Sequence, residues 1–431
     1  MEGKNSKKKV YTAPKGMHDI LPDEQVWWDR FYNKAKDVSD FYGFKKIDTP
    51  LLEDADIFIR GTGLGTDIVE KEMYTLKTKG GDFLALRPEG TPSVIRSYIE
   101  NGMFNWPQPV KLFYYGPMFR YDKPQAGRYR QLFQFGLEMI GEENAAADAE
   151  IIQAVWLILN ELGIKNIHIE LNSIGCPDCR PAYKKFLKTF YRTKASKLCS
   201  DCKRRLKINP LRILDCKNES CIALRENLPP LFDKLCEECR AHFEHLLEYL
   251  DEMQIPYNLN PNLVRGLDYY TKTVFEVWSN DDAGSLALGG GGRYDGLVGI
   301  LGGPKKPAVG FAFGVDRIVY QLKLRNKKTE TYHKNKVYLV QLGESAKKQI
   351  FGLLEEFRKN NILVESSLGR DSLRSQLKNA DHSRVKYCLI LGQREVIDGT
   401  VILRDMESGL QETIPIDKII LELKERLKKE N

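Results

Sequence analysis

Apolar and polar positions alternate most clearly along VKLFYYGPMFRYDKPQAGRYRQLFQFGLEMIG, from Val110 to Gly141. From Arg128 onward the period is two, as in a half-buried strand, because successive side chains leave a strand on opposite faces. One face would carry Arg128, Arg130, Leu132, Gln134, Gly136 and Glu138, and the other Tyr129, Gln131, Phe133, Phe135, Leu137 and Met139. Val110–Arg120 reads as a second strand, with Asp122, Pro124 and Gly127 supplying a turn. The pattern predicts an antiparallel hairpin. A solvated face would also be polar, and Glu138 could simply pair with a neighbouring arginine. Solvation alone calls for Lys, Glu, Thr and Ser, however, whereas guanidinium forks match the oxygens of a bound anion.

The remaining periodicity divides the chain. Pro22–Tyr42 is predicted helical, with Val26, Trp27, Phe31, Ala35 and Val38 on one face and Gly43 as its stop. Phe44–Leu52 reads as a strand, and a loop with Gly61, Gly63 and Gly65 follows. Phe83–Thr91 passes from strand to turn; helices are expected at Pro92–Tyr98 and Asn144–Leu162, and a strand at Ile167–Leu171. Residues 176–254 are helical by pattern and rich in Lys, Arg, Glu and Cys, which reads as an insertion into a strand-rich domain. Strands resume at Leu263–Trp278, Ser285–Gly290 and Ala308–Phe313, before a helix over Gly314–Leu322. The polar run Gln321–Lys336 reads as a linker. Strands and helices then alternate from Val337 to the last helix from Ile416, the signature of an α/β domain. The expected organisation is a basic tail over residues 1–14, one domain over 15–325 and a second over 326–431.

Composition adds little to this picture. The chain has 431 residues, of which 42% are hydrophobic and 29% charged, as in an ordinary globular protein. A net charge of +7 is compatible with a nucleic-acid partner but too mild to argue for one. The basic start MEGKNSKKKV has no apolar stretch after it, and no run approaches a membrane span, so a cytoplasmic protein is expected.

Candidate chemistry changes it more. Leu263–Trp278 places Arg265, Asp268, Tyr269 and Tyr270 at a strand entry, although tyrosine pairs in strands usually serve packing. GGGGRYDG (Gly289–Gly296) lacks the Lys-Ser/Thr of a Walker loop and points to close approach of the backbone to a flat ligand. PAVGFAFGVDR turns from strand to helix and presents Arg317, by default a surface residue.

Together these segments resemble the histidyl-tRNA synthetases. GPMFRYDKPQAGRYRQLFQFGLEMIG resembles motif 2 of class II synthetases, PAVGFAFGVDRI motif 3, and Phe44–Pro50 with Glu70–Tyr74 motif 1 and its sequel. LVRGLDYYTKTVFE and GGGRYDGL resemble two segments peculiar to the histidine enzymes, and LRPEGT their amino-acid loop. The likeness runs from about Lys15 to the last helix. It implies an α+β fold: a class II antiparallel-sheet catalytic domain, a helical Cys-rich insertion and a C-terminal α/β anticodon-binding domain. The implied activity is histidine–tRNA ligation, with ATP, Mg²⁺, L-histidine and histidine tRNA as partners and a homodimer as the assembly.

Residue roles follow from the same resemblance. Glu89, Thr91 and Gln134 would hold the histidine ammonium; Glu138 and Tyr270 the imidazole; Tyr269 and Tyr294 would complete the pocket, and Gly136 would leave room for the substrate. Arg120, Arg128 and Arg317 would contact ATP phosphates, Arg120 at the α-phosphate. Arg265 would lie between the carboxylate and the α-phosphorus, so Arg265 and Arg120 are the expected catalytic pair. Gln125 would touch the tRNA acceptor end. Asp316 stands where the family commonly has glutamate. The weaker alternative is the regulatory subunit of ATP phosphoribosyltransferase, a paralogue that typically lacks the C-terminal domain and alters the Arg265-type arginine.

Nine cysteines, eight of them between Cys176 and Cys239, argue against disulfides in a cytosolic chain. Cys176-x₂-Cys179 and Cys199-x₂-Cys202, nineteen residues apart, fit a four-cysteine zinc ribbon. Cys216, Cys221, Cys236 and Cys239 would make a second, less regular set. The alternative is reduced thiols filling a small helical core. The resemblance implies that any Zn²⁺ here is structural and dispensable for chemistry, since many members of the family lack these cysteines.

Overall fold

The computed structural model describes residues 10–124, 127–225, 228–229, 231–281, 284–325, 336–369 and 371–428. The chain forms two compact units, residues 1–326 and 327–431. No helix among the described residues is long and apolar enough to cross a membrane.

The first unit opens with α1 (Gln25–Phe41), which buries Trp27, Trp28, Phe31, Ala35 and Val38. Val26, expected on that face, is exposed, because the helical repeat carries the apolar stripe through Trp28 instead. The predicted strand Phe44–Leu52 is broken. Lys45–Lys46 (β1) runs parallel to the hairpin, whereas Leu52–Asp54 (β2) joins Tyr74–Lys77 (β3) and Phe83–Leu86 (β4) in a small separate sheet. Pro50, without an N–H, stands in the gap. Asp54 caps α2 (Ala55–Thr62) by accepting from Asp56 N at 2.8 Å, and α3 (Thr91–Glu100) follows β4.

The hairpin is β5 (Val110–Phe119) and β6 (Gln131–Ile140), antiparallel with Tyr114 opposite Gly136. Arg128 and Arg130 precede the strand that the alternation assigned them to. Arg130 lies over the Tyr121 ring at 3.8 Å and is not among the residues lining the cavity described below. Asn144 caps α4 (Ala145–Glu161), whose apolar side packs into the main core. Next come β7 (Ile167–Ser173), α5 (Arg180–Arg192), α6 (Ser200–Ile208), α7 (Glu219–Ala223) and α8 (Glu237–Glu252). Phe243, Leu246 and Leu250 of α8 belong to the core that α4 lines, so this helix is part of the main domain rather than of the insertion.

Tyr257–Leu259 (β8), Thr271–Asp281 (β9), Gly284–Arg293 (β10), α9 (Leu297–Ile300), Ala308–Gly314 (β11) and α10 (Val315–Arg325) complete the unit. The large sheet has the order β1-β5-β6-β11-β10-β9-β7-β8, antiparallel at its centre and parallel at both edges. Its architecture is α+β. The expected strand from Leu263 begins only at Thr271. The glycine run lies inside β10, where a side chain at Gly289 would meet the Phe311 ring and one at Gly291 the Gly310 carbonyl.

The second unit has the sheet order β13-β12-β14-β15-β16, formed by Lys336–Gln341 (β12), Leu363–Ser366 (β13), Tyr387–Leu391 (β14), Thr400–Asp405 (β15) and Gln411–Pro415 (β16). Helices α11 (Glu344–Lys359), α12 (Leu373–His382), α13 (Gln393–Asp398) and α14 (Ile419–Lys428) accompany it. β16 and α13 were not expected: QETIP contains only one strongly apolar strand position, and it is strand pairing with β15 that makes it a strand.

Candidate active site

The centre of the large sheet floors a cavity of about 300 Å³. Its floor is ordered by strand register. Glu138 on β6 lies opposite Gly310 on β11, which lies opposite Gly292 on β10. Two residues along, Gly136, Ala312 and Gly290 form the next row, and Gln134 and Gly314 the row after that. At about 3.4 Å per residue these rows are about 7 Å apart. Glycine dominates for a steric reason. A Cβ at Gly310 would collide with the Glu138 carboxylate, and one at Gly290 would enter the Arg265 guanidinium.

Two buried carboxylates occupy the deep end. Glu138 accepts the Thr91 hydroxyl at 2.6 Å and also the Tyr294 hydroxyl. Glu89 accepts Thr62 at 2.8 Å and Tyr269 at 2.7 Å. Burial drives the Glu138 carboxyl up to about 8, against the pull of its two hydroxyl donors. Burial raises Glu89 as well. Both are therefore disposed to accept a positively charged or N–H-bearing ligand that would offset their desolvation. Gln134 adds a buried side-chain oxygen with no partner among the described residues.

Arginines take over toward the hairpin tip. Arg265 lies against Gly290, one row from Glu138, and pairs with Glu276. Burial alone would lower its pKa, but Glu276 and the Tyr270 and Tyr269 hydroxyls raise it. Arg120 donates Nε to the Pro88 carbonyl at 2.8 Å. Arg317 is held by the carbonyls of Ala287 at 2.7 Å and Gly127 at 3.2 Å. Burial, then the like charges of Arg128 and Arg120, push the Arg317 pKa down. Positive charge therefore outweighs negative at this end of the cavity. Arg128 meets Asp122 at 3.0 Å and is nearly half exposed. The cavity is thus bipolar: carboxylates below, guanidiniums above, Arg265 between.

Sequence comparison resolves what such a cavity belongs to. Residues 16–318 match the family described as Histidyl-tRNA synthetase, and residues 336–426 match Anticodon binding domain. The chain belongs to the histidyl-tRNA synthetase family. Proteins named histidine–tRNA ligase from Dehalococcoides mccartyi and Desulfitobacterium hafniense are similar to it. The first is 46% identical over 97% of this chain and 100% of its own length; the second is 45% identical over 94% and 95%. The crystal structure of apo S. aureus histidyl-tRNA synthetase superposes with a TM-score of 0.81 at 36% identity, covering 96% of this chain and all of that one.

The histidyl-tRNA synthetase residues expected from the resemblance converge as a set. Glu89, Thr91, Arg120, Arg128, Gln134, Arg265, Tyr269, Tyr270, Tyr294 and Arg317 all line the one cavity, which Glu138 floors through its Tyr294 and Thr91 bonds. Gln125 lies outside the described residues. Gly136 does not leave room for a substrate: the Tyr114 ring fills the space above it and above Gly90. Several participants escaped sequence reasoning. Thr62 orients Glu89, Glu276 orients Arg265, and Arg87 fixes the amino-acid loop by donating to Thr49 O at 2.9 Å and Pro117 O at 3.0 Å. Asp316, which stands where the family commonly has glutamate, accepts the Phe133 amide at 2.7 Å and lines the cavity. An acid interrupting the apolar run Val274–Trp278 was the available signal for Glu276.

The cysteines pair differently from the expected ribbon. Cys176 and Cys179 meet Cys236 and Cys239, while Cys199 and Cys202 meet Cys216 and Cys221. The reason is topological: α8 returns to pack on α4, which brings its first turn back beside the root of α5.

Proposed function

We propose that this chain activates L-histidine with ATP and transfers it to the 3′ end of histidine tRNA. In the first step the histidine carboxylate attacks the α-phosphorus of ATP, and the bond to pyrophosphate breaks. In the second a tRNA ribose hydroxyl attacks the acyl carbon and AMP leaves. Glu138, with Tyr270, would grip the imidazole; Glu89, Thr91 and Gln134 the ammonium. Arg120 and Arg265 would bear on the α-phosphate, and Arg128 and Arg317 on the outer phosphates. Mg²⁺ enters with ATP as part of the substrate.

The observation that carries this reading is the order along the sheet floor: Glu138, then Arg265 over Gly290, then Arg317 at the outer row. Bringing two anions together needs positive charge already fixed where charge develops, and guanidiniums held by Pro88, Glu276 and Ala287 supply it with little reorganisation. Buried groups that must hydrogen-bond an imidazole reject amino acids without one by up to roughly 10⁴–10⁵. Arg265 and the domain at 336–426 also separate this reading from the regulatory-subunit alternative. A regulatory-subunit/synthetase structure from Bacillus halodurans, 21% identical, shares the fold only. Homodimeric assembly and a cytoplasmic location follow from the family expectation. Amino-acid-dependent ATP–pyrophosphate exchange tests the activity: histidine alone should support it, and a response to another amino acid, or none, would refute the assignment.

A further inference from the structure

All four sulfurs of each cysteine quartet lie within 4.8 Å of one another. Cys176 and Cys179 Sγ are 3.6 Å apart, and Cys199 and Cys216 Sγ 3.8 Å apart. A zinc tetrathiolate with Zn–S near 2.3 Å has sulfur–sulfur edges of about 3.8 Å, whereas a disulfide measures about 2.05 Å. Thiols that merely fill a core have no reason to converge four by four. Backbone amides also point at the sulfurs: Cys236 N at Cys179 Sγ (3.1 Å), Asp178 N at Cys176 Sγ (3.3 Å) and Cys199 N at Cys221 Sγ (3.4 Å). Such donors stabilise thiolates.

We infer that the insertion holds two Zn²⁺ ions, one per quartet, and that the second fastens a wall of the substrate cavity. The first site joins the entry of the insertion to its exit and closes its root. The second encloses residues 202–216, and that stretch is what touches the cavity. Arg205 and Arg212 both reach Asp67 Oδ2, at 3.0 and 3.3 Å, and Arg204 reaches Glu70 at 3.0 Å. Arg212 also donates to the Gly266 carbonyl at 2.9 Å, next to Arg265. Asp67, Arg212 and Gly266 line the cavity itself. The regular structure in this stretch is most of the nine-residue α6 and one 3₁₀ turn, Pro210–Ile213, both too short to hold their shape alone. A metal at its base supplies the missing constraint. The ion would thus be dispensable for the bond-making step but not for the shape of the pocket. This second half rests on the proposed histidine-activating site.

Metal analysis of full-length protein, purified with no metal added, should give two zinc per chain. One equivalent or less, or iron in place of zinc, overturns the inference. Pairing is read from double variants. Cys176→Ser/Cys236→Ser and Cys199→Ser/Cys216→Ser should each keep one zinc, and Cys176→Ser/Cys199→Ser none. One zinc retained in the last variant would restore the ribbon pairing and refute the crossed one. Should a variant fail to fold, cobalt substitution of the wild-type protein replaces it: two equivalents of Co²⁺ with thiolate charge-transfer absorption are expected, and their absence refutes the sites. For the cavity wall, Cys221→Ser should raise the histidine KM in pyrophosphate exchange by about tenfold or more, because small displacements of positioning groups are costly. Cys236→Ser should leave that KM near wild type, and Cys221→His, which keeps a zinc ligand, should restore it. Equal KM values in the two serine variants would refute the fastening role. Absence of histidine-dependent exchange in the wild type would instead refute the proposed activity and leave the metal count standing.

Discussion

Thr91 donates its hydroxyl to Glu138 at 2.6 Å, linking the first residue of α3 to the deepest carboxylate of the cavity. Together with Tyr294 it leaves Glu138 oriented but still short of a positive partner. Glu138→Ala should therefore raise the histidine KM far more than the ATP KM in pyrophosphate exchange, by about 10²-fold or more, the scale expected when a buried partner group is removed. Equal losses for both substrates would count against Glu138 as the imidazole ligand.

The same carboxyl gives a pH signature. Its folded value of about 8 lies above the ordinary value of 4.5, so the folded state binds the extra proton across that window. Its contribution to stability is full below about pH 4.5 and is lost as pH rises through about 8. Denaturation of ligand-free protein between pH 5 and 8 should show wild type losing stability relative to Glu138→Gln. A constant difference between the two across that range would contradict the burial argument.

Arg265 stands between the two halves of the proposed substrate pair and is paired only with Glu276 among the charged side chains described. Arg265→Ala should abolish adenylate formation, by at least ~10³-fold in kcat on the scale of a lost charge-stabilising group. Histidine binding, measured by calorimetry, should be largely retained. Normal exchange in that variant would remove Arg265 from the chemistry.

Arg293 is fully buried and pairs with Asp148, also fully buried, while donating to the Glu142 carbonyl at 2.8 Å and the Asn144 carbonyl at 3.0 Å. Burial works against the Asp148 charge, yet Arg293 and His242 hold its carboxyl down to about 2. Its contribution to stability is thus present above the ordinary carboxylate value and lost as pH falls through about 2. Arg293→Met leaves the buried Asp148 with only His242 opposite it and should destabilise the fold by about 3–5 kcal/mol in urea titration. A loss below about 1 kcal/mol would show the pair to be dispensable.

The unit at residues 327–431 is compact in its own right. Removing the chain beyond residue 325 should spare histidine-dependent exchange but lower tRNA charging by about tenfold or more, through loss of the contacts that hold the tRNA. Full charging by the truncated protein would dissociate that unit from tRNA recognition.

What sequence alone determined was local. Period two in the hairpin, the long helix from Asn144, the alternation of the C-terminal unit and the ordered motifs were all legible, because each depends on neighbours along the chain. The residues that line the cavity were legible too, since their types and order resemble a known family. Tertiary structure decided which distant groups meet. Glu276 finds Arg265 across the mouth of a strand, Tyr114 fills the gap above Gly136, and Asp67 receives two arginines from the insertion. The cysteines make the point most sharply. Spacing suggested that the two CxxC pairs would share one ion, but spacing measures distance along the chain only. The packing of α8 on α4 sets distance in space, and it carries Cys236 and Cys239 back to Cys176 and Cys179.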